Sequence, residues 1–576
     1  MNYLKLFSFL TVLLLFACQA SDKNNSAQLL DEIINSYQDH EGYDRKEFPL
    51  GIYNKDYYQS EADFAKAKLE ELQSVNSEDL NETEAISLSL LKFVLQDDIN
   101  YFEFERYLNP LLSDAGFHSN LTYWVRPFNN YDQIKKYLNM LNAIPKFVDE
   151  NFVNLREGLD KGVSQPRVIF NGYESTYDDH IVDNFEDCFY YSPFKSLPAE
   201  LTDSQKDSVL TAAKNAVESN VIPQFKRIKE FFETEYFPKT RTTLGASDMP
   251  EGDAYYQERI NFYTTSTQYT AEDIHQLGLK EVARIRAEMQ KIIDELDFEG
   301  DFADFLQFLR TDEQFYAKSP KELLMIARDM AKRADEQLPR FFKTLPRKPY
   351  GVAPVPDAIA PKYTGGRYIG TSKNSTDPGY YWVNTYDLPS RTLYTLPSLT
   401  VHEAVPGHHL QGALNNELGD SIPKFRRNLY LSAYGEGWGL YTEFLADEMG
   451  MYTTPYEQFG KFTYEMWRAC RLVVDTGIHA KGWTREQVVE FMASNTALSL
   501  HEVNTETDRY ISWPGQALSY KIGELKIREL RKKAKEELGS KFDIREFHEV
   551  VLEQGTVTLA ILEQRMNDYI DKKKNE

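Results

Sequence analysis

The sequence predicts a mainly α-helical protein of two lobes with one small β element. Helix-start signals precede apolar residues at helical spacing at Ser319–Glu322, Thr270–Asp273 and Thr484–Gln487. Residues typical of strands are sparse, and the clearest alternating run is Tyr380–Tyr386, which is either a substrate-binding edge strand or an ordinary member of a hairpin. An apolar fraction of 42% with 14% aromatic residues is sufficient for large cores, which excludes global disorder.

The N-terminus has the features of an export signal. Lys5 precedes the apolar run Leu6–Ala17, which is shorter than the ~20 residues that cross a bilayer. Leu15-Phe16-Ala17-Cys18 resembles a bacterial lipobox, in which the chain is cleaved before the cysteine and a lipid is attached to its sulfur. We therefore predict a signal peptide at 1–17, lipidation of Cys18 and a tether at 18–28. The mature protein would be exported and lipid-anchored to a bacterial membrane, with an ordinary signal peptide as the alternative.

Charge and composition limit the remaining classes. The chain has 65 Lys+Arg against 89 Asp+Glu, a net charge of −24, which argues against a nucleic-acid binder. Beyond Cys18 only Cys188 and Cys470 remain; they form either one disulfide or two buried thiols, and thiols are the simpler prediction. The Pro-, Gly-, Ser- and Thr-rich segment Pro238–Gly252 favours a seam between lobes at 29–240 and 241–576, which together form one catalytic unit.

A cluster of histidines carries the candidate chemistry. Three of the ten histidines, His402, His408 and His409, lie within eight residues, and Glu403 follows the first. Hydrolytic zinc sites need two neutral imidazoles on one ion and a carboxylate beside them, usually as HExxH on one helix face. Here the second histidine follows His402 by six or seven residues. On a regular helix the first spacing points to another face and the second lies too far along the axis, so neither histidine could share an ion with His402. Pro406-Gly407 predicts the distortion that would bring His408 to the position of the fourth residue after His402.

Three segments resemble a known family. HEAVPGHHLQ (402–411), GEGWGLYTEFLADE (435–448) and DRYISWPGQALSYKIGE (508–524) resemble the bacterial domain of unknown function 885 family, predicted zinc metallopeptidases. They are more distantly similar to the glutamate-zincins that include angiotensin-converting enzyme and carboxypeptidase Taq. This resemblance implies a gluzincin-like helical fold of two lobes with a deep central cleft.

The resemblance also implies roles for individual residues. It implies one Zn²⁺ ion bound by His402, His408 and Glu436, with Glu403 as the general base, while His409 stays open as the alternative second histidine. The glycines after Glu436 would let two helices approach closely. Glu443, later on that helix, is expected to be solvated or to lie behind the ligands, although it is also a possible ligand.

Further candidates follow from the same resemblance and from local spacing. Tyr510 matches a tyrosine that donates to the oxyanion, and His501 matches a histidine that helps to hold substrate; Tyr510 may equally be a core residue paired with a structural Arg509. Asp475 and His479, four apart on a predicted helix, are candidates for orienting a zinc ligand, or for an ordinary core pair. We predict substrate contacts at Tyr381, Val383, Asn384, Arg509 and Lys521, and consider Gln516 and Tyr520 for a substrate carboxylate.

These observations predict a zinc metallopeptidase that hydrolyses short peptides. A zinc hydrolase of a non-peptide amide or ester would keep every residue named here. A non-catalytic surface lipoprotein that binds glycans or peptides would share the export signal, size and acidity, but it has no need of the histidine cluster. Exopeptidase and endopeptidase action stay open, as does the oligomeric state.

Overall fold

The computed structural model describes residues 25–357, 360, 363–372 and 375–576. The predicted signal peptide and the lipidation site at Cys18 lie outside these residues. Residues 25–38 form helix α1, so the predicted tether, 18–28, is wrong over 25–28. No helix in the described part of the chain is long and apolar enough to cross a membrane.

The mainly helical prediction is confirmed, and the described residues form two compact units. The first comprises the described part of 1–79 together with 91–252 and 511–513. The second comprises 80–90, 253–510 and 514–576. The division after Gly252 coincides with the end of the segment Pro238–Gly252.

The first unit is a set of helices around an aromatic core. Phe152 stacks on Phe231 at a ring separation of 4.1 Å, and Phe232 stacks on Phe237 at 5.1 Å. Large rings bury much apolar area per residue, so such pairs stabilise the helical core of this unit. Its helices after α1 are α2 (Lys55–Glu71), α3 (Glu82–Glu103, whose first turns belong to the second unit), α4 (Tyr131–Lys161), α5 (Ser175–Asp178), α6 (Asp203–Ala216) and α7 (Ile222–Glu230).

The second unit contains the histidine motif and the remaining helices. The predicted helix starts are confirmed: Ser319, Thr270 and Thr484 are N-caps whose side chains accept backbone N–H groups three residues on. The helices are α8 (Gly252–Thr264), α9 (Ala271–Glu295), α10 (Phe302–Thr311), α11 (Pro320–Phe341), α12 (Leu396–Glu403), α13 (His408–Leu418), α14 (Lys424–Asn428), α15 (Ser432–Glu448), α16 (Pro455–Lys481), α17 (Arg485–Asn495), α18 (Leu500–Ser512), α19 (Ser519–Leu538), α20 (Ile544–Leu552) and α21 (Leu559–Asn575).

A three-stranded sheet lies in the second unit. Its strands are β1 (Tyr350–Pro354), β2 (Gly366–Ile369) and β3 (Gly379–Val383), in the order β1-β3-β2. β3 pairs with β1 in parallel and with β2 antiparallel. The strand prediction at Tyr380–Tyr386 is therefore correct for its first half, but its placement at an edge is wrong, because β3 is hydrogen-bonded on both sides.

The two described cysteines are free thiols. Cys188 and Cys470 are both buried and unbridged, which confirms the simpler of the two predictions. Burial raises the pKa of the Cys188 thiol, as expected for an unreactive cysteine.

Candidate metal centre

The first two ligand candidates lie on different helices. α12 ends at Glu403, α13 begins at His408, and residues 404–407 connect them. The N–H of Gly407 donates to the carbonyl of Val401 at 2.9 Å, so this connection folds back over α12. A Cβ on Gly407 would lie 1.9 Å from the carbonyl oxygen of His402, which only glycine avoids. The distortion predicted at Pro406-Gly407 is thus a break between two helices.

His402, His408 and Glu436 form a compact group, called here the His/Glu cluster. One ligand atom from each lies within 4.8 Å of the others, and no other group of this kind is found among the described residues. Nε2 of His402 is 3.5 Å from Oε2 of Glu436, and Nε2 of His408 is 3.4 Å from the same oxygen. Ligands about 2.05 Å from a tetrahedral Zn²⁺ are spaced roughly 3.3–3.4 Å apart. The donor set therefore fits a zinc ion, and the two spacings to Glu436 match this geometry.

His409 does not belong to the cluster. Its Nδ1 is 3.3 Å from the hydroxyl of Tyr368, and its ring packs on Tyr350 at 4.7 Å. Burial lowers the pKa of His409 to about 4, which keeps the imidazole neutral. Of the two histidines left open by the sequence, the structure brings His408 to Glu436.

Glycines place Glu436 on α15 against its neighbours. A Cβ on Gly437 would lie 2.6 Å from the Cα of Gly523 in α19. A Cβ on Gly439 would lie 2.7 Å from Cε1 of the His402 imidazole. These two contacts let α15 approach both α19 and the ligand ring, as the glycines after Glu436 predicted.

Glu443 orients the first histidine. Its Oε1 lies 2.8 Å from Nδ1 of His402, and both side chains are almost fully buried. A carboxylate only accepts, so Nδ1 is assigned a proton, and Nε2 is the nitrogen that faces Glu436. Arg468 approaches the same carboxylate oxygen at 3.6 Å.

Asp475 and His479 do not take this orienting position, so that prediction is wrong. Asp475 accepts from the Tyr256 hydroxyl at 2.7 Å and from the Gly515 N–H at 3.1 Å. Nε2 of His479 lies 2.9 Å from the carbonyl oxygen of Tyr510. The alternative of a core role for this pair fits these contacts.

Glu403 contacts the edge of the sheet. Its Oε2 accepts from the N–H of Tyr368 at 2.7 Å. Tyr368 lies opposite Tyr381 in the β2–β3 register, and its N–H points away from β3 towards Glu403. The carboxylate that directly follows His402 is thereby held at the outer side of β2.

The cluster is strongly acidic. Burial lowers the pKa of His402, but hydrogen bonds to Glu436 and Glu443 outweigh it and raise that pKa to about 10. Burial likewise opposes ionisation of Glu436, yet the adjacent His408 and His402 hold its pKa well below the usual range. Three carboxylates thus surround two imidazoles, an arrangement that a cation stabilises.

Tyr430 and Arg367, which the sequence analysis missed, interact with the carboxylates, and Tyr520 interacts with both of them. The hydroxyl of Tyr430 donates to Oε1 of Glu436 at 2.8 Å. Burial lowers the pKa of Arg367, and the charges of Tyr363, Glu403 and Glu436 reverse that shift. Tyr520, which we considered only for a substrate carboxylate, interacts electrostatically with both Arg367 and Tyr430.

Tyr510 and His501 lie in other surroundings. The Tyr510 hydroxyl is buried and accepts from Nε1 of Trp467 at 2.8 Å and from Nε of Arg471 at 2.9 Å. These contacts favour the core role weighed for Tyr510 over oxyanion binding. His501 is exposed on α18, and its carbonyl accepts from the Thr505 hydroxyl.

Most predicted substrate contacts are internal. Tyr381 and Asn384 are fully buried, and the Asn384 amide donates to three backbone carbonyls, at Ala360, Tyr363 and Thr364. Lys521 is also fully buried, in ion pairs with three glutamates. Tyr381 and Lys521 are corrected to structural roles, because both side chains are enclosed within the protein. Asn384 holds the three carbonyls and also lines the cavity described below.

Two predicted residues have mixed outcomes. Val383 is buried in β3, although it also lines a cavity described below. Arg509 donates to Gln516 at 2.6 Å and to Glu506, and it hydrogen-bonds the hydroxyl of Tyr520. Arg509 therefore supports Tyr520 within the protein.

Comparison with known proteins places the chain in a family. A family model described as "Bacterial protein of unknown function (DUF885)" matches residues 38–566. The chain belongs to this family. No curated protein matches this DUF885 chain.

Two solved structures are similar to this DUF885 chain. One, from Colwellia psychrerythraea, is described as a "putative lipoprotein"; it is 26% identical, with a TM-score of 0.82, over 96% of this chain and 99% of that one. Another, from Shewanella oneidensis, is described as a "putative lipoprotein of unknown function"; it is 19% identical, with a TM-score of 0.70, over 95% of this chain and 99% of that one. The second likeness shows the fold alone.

Proposed function

We propose that the chain is a zinc-dependent hydrolase that cleaves peptide bonds of short peptides. The observation that carries this proposal is the convergence of His402 Nε2, His408 Nε2 and Glu436 Oε2. Glu403 directly follows the first ligand, as a hydrolytic site requires. A gluzincin-like arrangement with a substrate cleft is part of the same proposal.

Glu403 is the general base of this mechanism. Zinc, when bound, would lower the pKa of a water and polarise the scissile carbonyl. Glu403 accepts the proton of the attacking water and later transfers it to the leaving amine, while the Tyr368 N–H fixes its carboxylate. Glu443 keeps His402 in the ligand tautomer.

Tyr520 is the proposed donor to the oxyanion. Because Arg509 can only donate, the hydrogen bond between the two leaves the Tyr520 proton available for another acceptor. Tyr510, by contrast, has its oxygen bound by two buried donors. Removing one oxyanion donor typically costs about 100- to 1,000-fold in kcat.

The edge of β2 supports a peptide substrate. Extended peptides add to exposed sheet edges through main-chain hydrogen bonds. β2 is an outer strand of the sheet, and Tyr368 within it contacts Glu403. A peptide lying along β2 would therefore pass the general base.

The cellular location is proposed from the N-terminal motif. We assign the chain as an exported protein held at the membrane by lipid on Cys18, and the description of the Colwellia relative supports this. Cys18→Ala is expected to move the protein from the membrane fraction to the aqueous fraction after cell disruption. Retention of the variant in the membrane fraction would remove lipid anchoring from the proposal.

Metal analysis tests the site. Purified protein is expected to contain about one zinc per chain by mass spectrometry of metals, and His408→Ala to lose it. The adjacent His409→Gln is the matched control and should keep its zinc. Wild-type protein without zinc-binding capacity would sink the enzyme proposal and favour a non-catalytic lipoprotein.

Digestion of a short-peptide library tests the reaction. Glu403→Gln should abolish cleavage while zinc content is retained, and Glu417→Gln, at the partner of the exposed Arg347, should cleave normally. Tyr520→Phe should lower kcat about 100-fold or more with zinc unchanged. Zinc binding together with hydrolysis of esters but of no peptide would favour the non-peptide hydrolase.

A further inference from the structure

A cavity of about 330 Å³ lies within the second unit, and part of its wall comes from α12, the helix that carries His402 and Glu403. Apolar side chains form much of its wall, among them Val383, Leu396, Leu399 and Leu498. Its volume is at the lower end of the roughly 300–1,000 Å³ of small-molecule sites. It is large enough for one side chain of a peptide together with some of its backbone.

The cavity adjoins the general base through α12. Leu399 lines the cavity and precedes Glu403 by four residues in α12. The two side chains therefore lie on the same face of the helix, about one turn of 5.4 Å apart. Leu399 also contacts the start of β2, where a Cβ on Gly366 would lie 3.1 Å from its Cδ2. An extended peptide advances about 3.3 Å per residue. A chain along β2 would therefore bring a residue one or two positions from the scissile bond to the cavity.

Two arginines line the cavity, and they differ in their partners. Arg310 donates to the carbonyls of Leu498, Ala493 and Thr496, so its guanidinium is committed to the backbone. Arg391 donates from Nε to the carbonyl of Tyr386 at 3.3 Å, and it forms no ion pair with any residue in the described ranges. Arg391 thus presents a positive charge to the cavity.

The nearby acids balance that charge only in part. Glu502 lines the cavity with Arg391, and the charges of Glu502 and Asp387 both act on this arginine. Burial together with the charge of Glu506 raises the pKa of Glu502 to about 7, so this carboxyl is only partly ionised near neutral pH. Because Glu502 forms no ion pair with Arg391 within the described residues, the guanidinium can still receive a carboxylate from a ligand.

We propose that this cavity binds a carboxylate of the peptide substrate through Arg391, one or two residues from the scissile bond. The inference rests on the proposed function for its substrate but not for its binding chemistry. The carboxylate belongs either to an acidic side chain or to the C-terminus of the peptide. Its partner is the guanidinium, and the apolar wall encloses the methylene groups beside it.

The first experiment measures binding without hydrolysis. Zinc-loaded Glu403→Gln protein is titrated calorimetrically with tetrapeptide sets that differ at one position, Glu against Gln, and at the C-terminus, free acid against amide. We expect one of the two carboxylates to improve affinity about tenfold, and the comparison identifies which. Equal affinity for all peptides, or a preference for Lys through Glu502, would overturn the proposal.

The second experiment assigns the preference to Arg391. In the Glu403→Gln background, Arg391→Gln should remove the preference, Arg391→Lys should keep part of it, and Arg391→Glu should reverse it towards Lys peptides. Arg347→Gln, an exposed arginine paired with Glu417, should keep it in full. A preference that persists in Arg391→Gln would reject this residue as the anchor.

Cleavage by the otherwise wild-type enzyme separates the two proposals. Peptide cleavage with no carboxylate preference in kcat/KM, unchanged in Arg391→Gln, would overturn the cavity proposal and leave the function intact. Carboxylate binding that depends on Arg391, with no peptide cleaved, would support the cavity proposal and reject the peptidase. The preference of the unmodified enzyme is measured without any variant, so misfolding of an Arg391 substitution cannot hide the result.

Discussion

Two groups of buried acidic side chains in the second unit contrast in how their charge is balanced. In one, the lysine cluster, Lys521 contacts Glu281, Glu465 and Glu524 at 2.9–3.2 Å, with Arg284 and Arg528 at its margin. In the His/Glu cluster the closest N···O separations are 3.4 and 3.5 Å. Ordinary N–H···O bonds are about 2.7–3.2 Å long, whereas the longer separations fit ligands around an ion.

The difference teaches how to distinguish a structural charge network from a metal site. The lysine cluster supplies its own cations from α9 and α19, so nothing needs to be added. The His/Glu cluster instead brings two imidazole nitrogens and a carboxylate oxygen to one point. A buried acidic group with no lysine or arginine paired to its central carboxylate is the one that favours a metal, because a metal can displace the imidazole protons.

The largest effect is expected from removing the cation of the lysine cluster. Lys521→Met leaves three glutamates without their shared partner, which should lower the free energy of unfolding by about 3–5 kcal/mol. Urea unfolding followed by circular dichroism measures this, and the loss should be the same with and without zinc. Lys291→Met, which removes an exposed pair with Glu288, should cost less than about 1 kcal/mol. Similar losses in the two variants would contradict the comparison.

Zinc should stabilise the protein only through the His/Glu cluster. At a free zinc concentration 100 times Kd, mass action adds about 2.7 kcal/mol to the free energy of unfolding. Thermal unfolding with a zinc buffer should therefore show a higher Tm for the wild type and no shift for Glu436→Ala. Glu524→Gln, in the lysine cluster, should be less stable but should still respond to zinc. A zinc response that survives in Glu436→Ala would place the metal elsewhere.

Removing the orienting carboxylate should weaken metal binding without abolishing it. Glu443→Gln replaces the partner of His402 Nδ1, and such changes typically lower metal affinity by 10- to 100-fold, about 1.4–2.7 kcal/mol. Competition with a chromophoric chelator gives the zinc Kd. Glu448→Gln on the same helix removes a half-exposed pair with Arg531 and should leave that Kd unchanged. An unchanged Kd in Glu443→Gln would remove Glu443 from the metal site.

The smallest effect concerns acid stability. Burial raises the pKa of Glu465, but the charges of Lys521 and Arg284 outweigh it and hold the folded-state pKa below 4.5. Its contribution is therefore complete above pH 4.5 and is lost as the pH falls below that value. Unfolding measured between pH 5 and 3.5 should have a slope that is flatter in Glu465→Gln by up to about 1.4 kcal/mol per pH unit. Equal slopes for the wild type and Glu465→Gln would show that Glu465 is not the carboxylate that titrates in this pH range.

The sequence predicted what depends on local pattern. N-caps such as Thr270 act within three residues, so the helix starts were predictable. His402, Glu403 and His408 lie in one short motif, and Glu436 lies in a second, so their chemistry could be predicted from residue type. A close approach at Gly439 was predictable in the same way, because this glycine lies in the same short motif as Glu436.

Predictions that depended on how distant segments meet were less accurate. Lys521 looked available for substrate, but its burial comes from Glu281 and Glu465, far away in the chain. Asp475 and His479 have a spacing that suits an orienting pair, yet the rotation of α16 turns Asp475 to Tyr256. The alternation of β3 fits a central strand as well as an edge. Its partners were not recognised, because β2 has only four residues and β1 contains a glycine and ends on a proline.

The contact between Gly437 and Gly523 has a consequence for motion in this molecule. With only hydrogen atoms between the two backbones, α15 and α19 can neither slide nor rotate past each other without collision. The helix that carries Glu436 and the helix that carries Tyr520 must therefore move as one rigid body. If the chain is the proposed hydrolase, any opening for substrate has to occur at other segments, and the distance from Glu436 to Tyr520 should stay constant when a ligand binds.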